Sequence, residues 1–266
     1  MTTIGEFLKH GTGEIGRHDT MLLLCHMTKK NSAYVMLHDN ELLPNSAEFL
    51  HYVNRRKQGE PLQYLLGKWD FMGRTLITDC RALIPRPETE LLVEEALMFL
   101  QTVTKNRPKV LDLCTGSGCI AAAVAMSGEY DITAVDISSH ALDLARENCA
   151  VLGVKLIQSD LFSKVEGKFD LIISNPPYIT TNEMSELAPT VRDYEPHLAL
   201  HGGKDGMDIY RRLIPECLEF LEPGGALYLE IGPSAVKGLM EEAGFSNVQM
   251  KQDYAGLDRI IYGKWR

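Results

Sequence analysis

Short apolar runs alternate with segments of helical periodicity along most of the chain, and this pattern restricts the fold more than any other feature. The runs are rich in branched apolar residues, which favours buried strands, and the longer segments repeat their apolar residues at helical spacing. Strands are predicted over residues 110–113, 131–135, 154–158, 170–174, 226–231, 247–251 and 259–263, and helices over residues 91–100, 118–126, 139–152, 207–221 and 234–243. Such alternation predicts a mostly parallel sheet with helices on both faces. The expected fold is therefore α/β and doubly wound, with seven strands.

The first part of the chain has a different pattern, because no alternating run occurs before Gly67. Residues 19–28 carry apolar side chains at helical spacing, and Ser46 is a candidate N-cap for another helix that ends before Gly59. We expect a small all-helical domain over residues 1–72, a β-hairpin linker over residues 73–88 and the α/β domain over residues 89–266.

Composition and charge argue against several classes of protein. The 266 residues carry a net charge of −9 and a sequence pI of about 5.4, which argues against binding nucleic acid through its phosphates alone. Six cysteines are spread along the chain without a Cys-x-x-Cys pair, which is typical of reduced thiols in a cytosolic protein and not of a disulfide or zinc set. His197 and His201 lack the glutamate of a zinc-binding helix, so we expect no metal. We also expect a cytoplasmic protein without a signal peptide or membrane span, since no basic-then-apolar start and no long apolar run occur.

A glycine-rich turn follows the first predicted strand of the sheet. Ligands bind at the carboxyl ends of strands in this fold, where glycines permit close approach to the backbone and a helix N-terminus favours an anion. The turn is neither a Walker loop nor a clean dinucleotide fingerprint, because the lysine and the third glycine are missing, and a plain tight turn is the alternative. The candidate cofactor-binding residues are Asp112, Cys114, Thr115, Gly116, Ser117 and Gly118.

Two acidic residues at the ends of the next strands strengthen the prediction of a ligand site. Asp136 ends the second strand about twenty residues further on, where an acid binds ribose hydroxyls. Asp160 follows the third strand and is placed for a nucleobase amino group, although an N-cap aspartate is the alternative. With their neighbours Ile137 and Leu161, these residues predict an adenosine-containing ligand that needs no diphosphate. S-adenosylmethionine fits this description better than NAD.

The segment Asn175-Pro176-Pro177-Tyr178 follows another apolar run and forms a stiff corner. Its prolines fix two φ angles at about −65° and remove two backbone donors, and the residue before a proline is pushed toward extended geometry. We expect the side-chain oxygen of Asn175 and the carbonyl oxygen of Pro176 to accept the two hydrogens of a planar amino group. Its lone pair would then face a methyl donor, while Tyr178 packs on the acceptor's side chain. A plain turn is the alternative, since Asn-Pro pairs often begin turns.

In this order, the glycine turn, Asp136, Asp160 and the Asn-Pro-Pro-Tyr segment resemble a class I methyltransferase that methylates a planar nitrogen. From about residue 61 to the C-terminus, the chain resembles the peptide chain release factor glutamine methyltransferases. The motifs that carry this resemblance are Pro61-Leu62-Gln63-Tyr64, Pro85-Arg86-Pro87-Glu88-Thr89-Glu90, Tyr194-Glu195-Pro196, Gly202-Gly203-Lys204-Asp205-Gly206 and Glu230-Ile231-Gly232. The chain departs from the family pattern at Cys114, where glycine is frequent, and at Pro233-Ser234-Ala235, which replaces a stretch that often carries glutamine.

The resemblance implies an enzyme that transfers a methyl group from S-adenosylmethionine to a glutamine side-chain amide nitrogen. The glutamine is that of the Gly-Gly-Gln motif in release factors, which act in translation termination. The implied catalytic residues are Asn175, Pro176 and Tyr178, and Asn175 also contacts the cofactor. The implied substrate-binding residues are Asn175, Pro176, Pro177, Tyr178, Arg86, Glu88 and Phe71. The helical domain would dock the release factor, and we expect a monomer that binds no nucleic acid directly.

Two other functions remain open from the sequence. A nucleic-acid adenine amino methyltransferase uses the same Asn-Pro-Pro-Tyr segment, although the net acidity and the lack of a basic, aromatic recognition region weigh against it. A non-catalytic release-factor-binding protein is the other alternative. The intact glycine turn, Asp136 and Asn175 weigh against that one.

Overall fold

The structure, a computed structural model, describes residues 3–266 and divides into two compact units. One unit comprises the chain up to Lys68 together with Ala188–Tyr194, and the other comprises Trp69–Leu187 and Glu195–Arg266. Residues 1 and 2, which belong to the expected helical domain, lie outside the described residues.

The first unit is helical around its own apolar core. Its helices are α1 (Ile4–Ile15), α2 (Arg17–Thr28), α3 (Ser32–Leu37), α4 (Ser46–Lys57) and α5 (Leu62–Leu66), and a short helix, Pro189–Arg192, also belongs to it. A capping box between Thr3 and Glu6 begins α1, and the rings of Phe7 and Phe49 meet edge to face at 4.9 Å in the core. Ser46 is the first residue of α4 and not its N-cap; Asn45 takes that position with a left-handed φ of 53°.

A two-stranded hairpin is formed by β1 (Lys68–Phe71) and β2 (Arg74–Ile77). Met72 and Gly73 connect the strands with φ angles of 48° and 71°, the signature of a type I′ turn, which matches the twist of the strands. The backbone nitrogen of Met72 donates to the Glu90 carboxylate at 2.7 Å.

The main sheet has seven strands, and the predicted mostly parallel α/β fold is confirmed. Its strands are β3 (Lys109–Leu113), β4 (Asp131–Asp136), β5 (Lys155–Gln158), β6 (Phe169–Ser174), β7 (Leu221–Glu230), β8 (Ser246–Gln252) and β9 (Asp258–Lys264). They lie in the order β5-β4-β3-β6-β7-β9-β8, and only β9 runs antiparallel to its two neighbours. The helices of this unit are α6 (Pro87–Leu100), α7 (Cys119–Ser127), α8 (Ser139–Asn148), α9 (Thr181–Met184), α10 (Asp208–Cys217) and α11 (Val236–Glu242).

Side chains of the central strand β6 alternate between two buried clusters, one on each face of the sheet. Leu171 and Ile173 belong to the cluster that includes residues of α6 and α7, whereas Ile172 belongs to the cluster with Tyr210 and Val236. The alternation follows from the period of two residues in a strand. Since all six residues of β6 are buried, the strand that leads to Asn175 is firmly held.

The carboxyl ends of β3, β4, β6 and β7 meet at one edge of the sheet. The chain runs outward from β3 to β4 and β5, then returns to the other side of β3 as β6, which makes β3 the point where the strand order reverses. Ligands bind at such a switch point in doubly wound sheets. In register, Leu113 lies between Val135 and Ser174, and Ser174 pairs with Leu229. The residues that follow these positions therefore lie close together.

None of the helices described in residues 3–266 is long and apolar enough to cross a membrane. All six cysteines are free thiols, and the described part of the chain holds no group of three or more side chains suited to a metal ion.

Candidate active site

An open cavity of about 200 Å³ lies at this edge of the sheet, entirely within the second unit. The predicted site residues that line it are Arg86, Cys114, Thr115, Gly116, Ser117, Asp136, Ile137, Asp160, Leu161, Asn175 and Pro177. Residues from five separate stretches of the chain thus face one space. The cavity also takes in Ile84, Pro85, Thr89, Leu198, Ile209 and Arg212, for which the sequence predicted no role in the site.

The glycine turn is held open by its backbone conformation. Cys114, Gly116 and Gly118 have left-handed φ angles of 57°, 55° and 79°. Glycine adopts this region without a steric penalty, whereas a cysteine there is uncommon. At Gly118 a Cβ atom would come within 3.1 Å of the Cβ of Ala145, so this position also needs glycine for close packing of α7 against α8.

Asp112 lies beneath the turn and does not line the cavity. Its Oδ2 accepts hydrogen bonds from the hydroxyl of Thr115 at 2.6 Å and from the backbone nitrogen of Ala121 at 3.1 Å. Its Oδ1 and the Oγ of Ser117 are buried and have no partner within the described residues. The pKa of Asp112 is raised to about 7, chiefly by burial and to a smaller extent by the nearby Asp136, while the two hydrogen bonds lower it.

We expect the ligand-free protein to lose stability as the pH rises. A buried carboxyl group with a raised pKa stabilises the fold fully below its unfolded pKa of 3.8, and this contribution is lost as the pH passes about 7. For Asp112 the loss is on the order of 4 kcal/mol at a pH above both values. Between pH 5 and pH 8 the expected part of this loss is about 2–3 kcal/mol, which urea unfolding at the two pH values measures, with Asp112→Asn as the matched variant. The prediction is wrong if Asp112→Asn shows the same dependence on pH as the wild type.

Asp136 connects the end of β4 to the glycine turn. Its Oδ2 accepts from the backbone nitrogen of Gly116 at 2.8 Å, and its Oδ1 accepts from the backbone nitrogen of Ser138 at 2.9 Å. Burial raises the pKa of Asp136, although these backbone donors lower it. Each carboxylate oxygen keeps a further lone pair, so the group can also accept hydrogen bonds from ligand hydroxyls.

The far end of the cavity combines apolar and charged groups. The Ile137 side chain is 49% exposed although it is large and apolar, and it lines the cavity, as does Leu161. An exposed apolar side chain in a concave site provides a surface for a flat apolar ring. Asp160 pairs with the guanidinium of Arg212 at 2.9 Å.

Asn175 is the first residue after β6, and its side-chain amide is anchored. Its Nδ2 donates to the hydroxyl oxygen of Thr89 in α6 at 3.1 Å, while the hydroxyl of Ser174 donates to the backbone oxygen of Leu113 at 2.7 Å. Pro177 lines the cavity beside it, and Pro176 is buried. The amide of Asn175 is therefore presented to the cavity from a rigid strand end.

Tyr178 lies behind this corner and does not line the cavity. Its hydroxyl donates to Glu230 at 3.2 Å, and the Arg259 guanidinium lies 6.0 Å from the centre of its ring. The ring occupies the space next to Gly232, where a Cβ atom would approach it to 2.6 Å. Tyr178 therefore supports the site from the protein side, in contrast to the expected packing on a substrate.

The residues expected at the substrate entrance are distributed differently. Arg86 lines the cavity and pairs at 2.5 Å with Glu195, a buried carboxylate that also accepts from the backbone nitrogen of Ile84. Glu88 is partly exposed and does not line the cavity. Phe71 is 2% exposed and packs in the hydrophobic core, so the expectation that it binds the substrate is wrong. Removing its ring from water is favourable, which explains why it lies in the core.

Two polar residues of the site received no role from the sequence. Thr89 lines the cavity and holds Asn175, and the buried Glu230 accepts a hydrogen bond from the Thr89 hydroxyl at 2.6 Å. Both lie within motifs that carried the family resemblance, which is the one signal that could have singled them out.

The cavity suits an adenosine-containing cofactor without a diphosphate. The Asp136 carboxylate lies at the end of β4 with apolar side chains beyond it, and the buried hydroxyl of Ser117, just before α7, has no partner within residues 3–266. Together with the seven-stranded sheet, this arrangement defines a class I methyltransferase that uses S-adenosylmethionine.

Comparisons with known proteins narrow the class. Residues 2–67 match the family model of the PrmC N-terminal domain, and residues 93–190 match that of the methyltransferase small domain. The release factor glutamine methyltransferase of Clostridium acetobutylicum is 36% identical over 267 aligned positions, which cover 96% of this chain and 93% of that protein. The one from Cereibacter sphaeroides is 41% identical, with coverage of 94% and 91%. The chain belongs to the release factor glutamine methyltransferase family.

A solved structure supports the fold independently. A methyltransferase from Pyrococcus furiosus superposes with a TM-score of 0.52 over 82% of this chain and 96% of that chain, at 21% identity. The shared architecture therefore extends beyond close sequence relatives.

Proposed function

We propose that this protein methylates the side-chain amide nitrogen of the glutamine in the Gly-Gly-Gln motif of peptide chain release factors. The observation that carries the proposal is the anchored amide of Asn175, whose nitrogen is bound to Thr89 and whose oxygen is left to accept a hydrogen in the cavity. The names of the relatives that align over nearly the whole chain support a glutamine in a release factor as the acceptor.

The glycine turn and the strand ends would hold the cofactor. Asp136 would accept hydrogen bonds from the ribose hydroxyls, Ile137 and Leu161 would contact the adenine, and Asp160 would accept from its amino group; all four residues line the cavity. Gly116 and Ser117, just before α7, would face the carboxylate of the amino acid portion, whereas Gly118 does not line the cavity. When bound, S-adenosylmethionine supplies a methyl group on a positively charged sulfur; this carbon–sulfur bond breaks as the nitrogen–carbon bond forms, and the nitrogen then releases one proton to water.

The acceptor nitrogen needs positioning more than it needs a base. An amide nitrogen is a poor nucleophile because its lone pair is delocalised into the carbonyl group. The Asn175 side-chain oxygen and the Pro176 carbonyl oxygen accept hydrogen bonds from the two N–H groups of this nitrogen. These bonds turn its lone pair toward the methyl donor. Fixed acceptors also stabilise the positive charge that develops on the nitrogen, so positioning and electrostatics supply the acceleration.

The rest of the molecule serves recognition of a large substrate. Arg86 lies on the cavity wall, held by the buried Glu195, and contacts the release factor near its glutamine. The helical unit docks the same factor away from the chemistry. We also propose that the enzyme acts as a monomer in the cytoplasm and binds no nucleic acid.

Transfer of a labelled methyl group tests this function. The protein is incubated with labelled S-adenosylmethionine and, in separate reactions, with a bacterial release factor, ribosomal RNA and DNA. We expect label in the release factor alone. Label in a nucleic acid instead would support an adenine amino methyltransferase, and cofactor binding without transfer to any release factor would support a binding protein.

A further inference from the structure

A buried glutamate stands behind the hydrogen bond that holds Asn175. Glu230 is 1% exposed at the end of β7, and its Oε2 accepts from the Thr89 hydroxyl at 2.6 Å. Its Oε1 accepts from the hydroxyl of Tyr178 at 3.2 Å. The Thr89 oxygen in turn accepts from Nδ2 of Asn175 at 3.1 Å. One continuous chain of hydrogen bonds thus leads from a buried carboxylate to the cavity.

The carboxylate determines the direction of every bond in this chain. An ionised carboxylate can only accept hydrogen bonds, so the hydroxyl of Thr89 must donate its single hydrogen bond to Glu230. The Thr89 oxygen can then only accept from Asn175, and only the NH₂ half of that amide can donate. Because Nδ2 and Oδ1 branch from the same carbon, anchoring Nδ2 leaves Oδ1 as the half that accepts from a ligand.

We propose that Thr89 and Glu230 are positioning residues that keep the oxygen of the Asn175 amide turned toward the substrate. This inference rests on the proposed function, in which that oxygen accepts a hydrogen of the glutamine NH₂ group. Without the network, the side-chain amide of Asn175 can rotate by half a turn and present its own NH₂ group. Two NH₂ groups cannot hydrogen-bond to each other in this arrangement, so the NH₂ group of the substrate glutamine would be repelled. The Glu230 carboxylate also places a negative charge at one end of this series of hydrogen bonds, while the substrate nitrogen, which becomes positive during transfer, lies at the other end.

The charge of Glu230 depends on its surroundings. Side chains from each neighbouring element interact with Glu230. Its carboxyl group interacts with Tyr178 after β6, Arg259 in β9, Glu88 and Thr89 in α6, and Cys119 in α7. The hydroxyl of Tyr210 in α10 donates to its backbone oxygen. The pKa of Glu230 is raised to about 7, chiefly by burial and to a smaller extent by Glu88, while Thr89, Tyr178 and Arg259 lower it. The ionised form enforces the bond directions, so we expect kcat to fall as the pH drops below about 7.

Kinetics of variants at Thr89 and Glu230 test the proposal. Thr89→Val keeps the shape but removes the hydroxyl, and we expect kcat to fall about 30-fold with an unchanged KM for S-adenosylmethionine. Thr89→Ser keeps the hydroxyl and restores most of the rate. Thr102→Val is the matched control, because Thr102 follows the C-terminal end of α6 and bonds only the backbone oxygen of Phe99. Glu230→Gln lowers kcat and abolishes the acid limb of the pH profile.

A double variant separates positioning from an independent role. If Thr89 acts through Asn175, then Thr89→Val causes no further loss of kcat in an Asn175→Ala background. An equal loss in both backgrounds, or a wild-type rate for Thr89→Val, would overturn the proposal.

A spectroscopic readout does not require the substrate. In the ligand-free protein, the NMR signals of the Asn175 side-chain NH₂ group should shift with a midpoint near pH 7 and lose this shift in Glu230→Gln. If these signals behave as expected but no release factor is methylated, the positioning holds and the proposed function fails. Signals that are indifferent to both Thr89→Val and pH would overturn the positioning itself.

Discussion

Replacing Asn175 with alanine is expected to lower kcat for release factor methylation by roughly 10²-fold to 10³-fold, the range seen when one preorganised polar group is removed from a site of developing charge. Asn175→Ala deletes the oxygen that accepts a hydrogen of the substrate amide, while the glycine turn and Asp136 are untouched. Although Asn175 is also an implied cofactor contact, the rest of the cofactor site is kept, so we expect the Kd for S-adenosylmethionine to rise by a far smaller factor than kcat falls. Initial rates with saturating cofactor, together with calorimetric cofactor binding, separate the two effects.

Two further variants sharpen this prediction. Asn175→Asp keeps the size of the side chain, but its second oxygen would face the oxygen of Thr89. That hydroxyl already donates its hydrogen bond to Glu230 and has none left for the aspartate. We therefore expect the aspartate variant to be impaired as well. Asn182→Ala, at an exposed position in α9, is the control that should leave kcat unchanged. A near wild-type kcat for Asn175→Ala would exclude Asn175 as the catalytic residue.

Replacing Asp136 with alanine is expected to raise the Kd for S-adenosylmethionine about 100-fold, because hydrogen bonds to a charged group contribute about 1.5–3 kcal/mol each. The substitution removes the carboxylate that would bind the ribose and also leaves the backbone nitrogens of Gly116 and Ser138 without their acceptor. The turn then loses part of its shape as well as its ligand contact. Isothermal titration calorimetry measures the change.

The same strand provides the control for this effect. Asp131 begins β4, its side chain is about half exposed, and it pairs with Arg107 at the surface. Asp131→Ala should leave cofactor affinity unchanged. If Asp136→Ala binds S-adenosylmethionine as tightly as the wild type does, the cofactor lies elsewhere.

The cofactor half of the site could be predicted because it depends on local rules. Apolar runs locate the strands, and the carboxyl ends of parallel strands must meet at one edge of the sheet. Asp136 and Asn175 end or follow such strands, so their approach to the same cavity follows from the sequence pattern alone. The register of β3 with β4 and β6 confirms that the strand ends are level.

The support behind Asn175 could not be predicted, because it joins parts of the chain that no local pattern connects. Thr89 and Glu230 are 141 residues apart, and they meet only because α6 packs on the sheet and β7 lies beside β6. Neither residue type is unusual where it stands in the sequence. Only the folded structure shows that the carboxylate is buried and shares one hydrogen-bond chain with the cavity.

For Phe71 the sequence led to a role in the site that the structure does not support. The family resemblance implied that Phe71 binds the substrate, but it ends the first strand of the hairpin and packs in the core. Burial of a large apolar ring is the stronger tendency, and nothing in the sequence marks which face of a short hairpin strand is buried.

Mass spectrometry of the methylated release factor identifies the atom that receives the methyl group. A purified bacterial release factor is incubated with S-adenosylmethionine and this protein, digested, and sequenced by tandem fragmentation. The account predicts one added methyl group on the side-chain amide nitrogen of the glutamine in Gly-Gly-Gln, and none in a factor whose motif is changed to Gly-Gly-Ala. A methyl group at any other position, or methylation of the Gly-Gly-Ala factor, would contradict it.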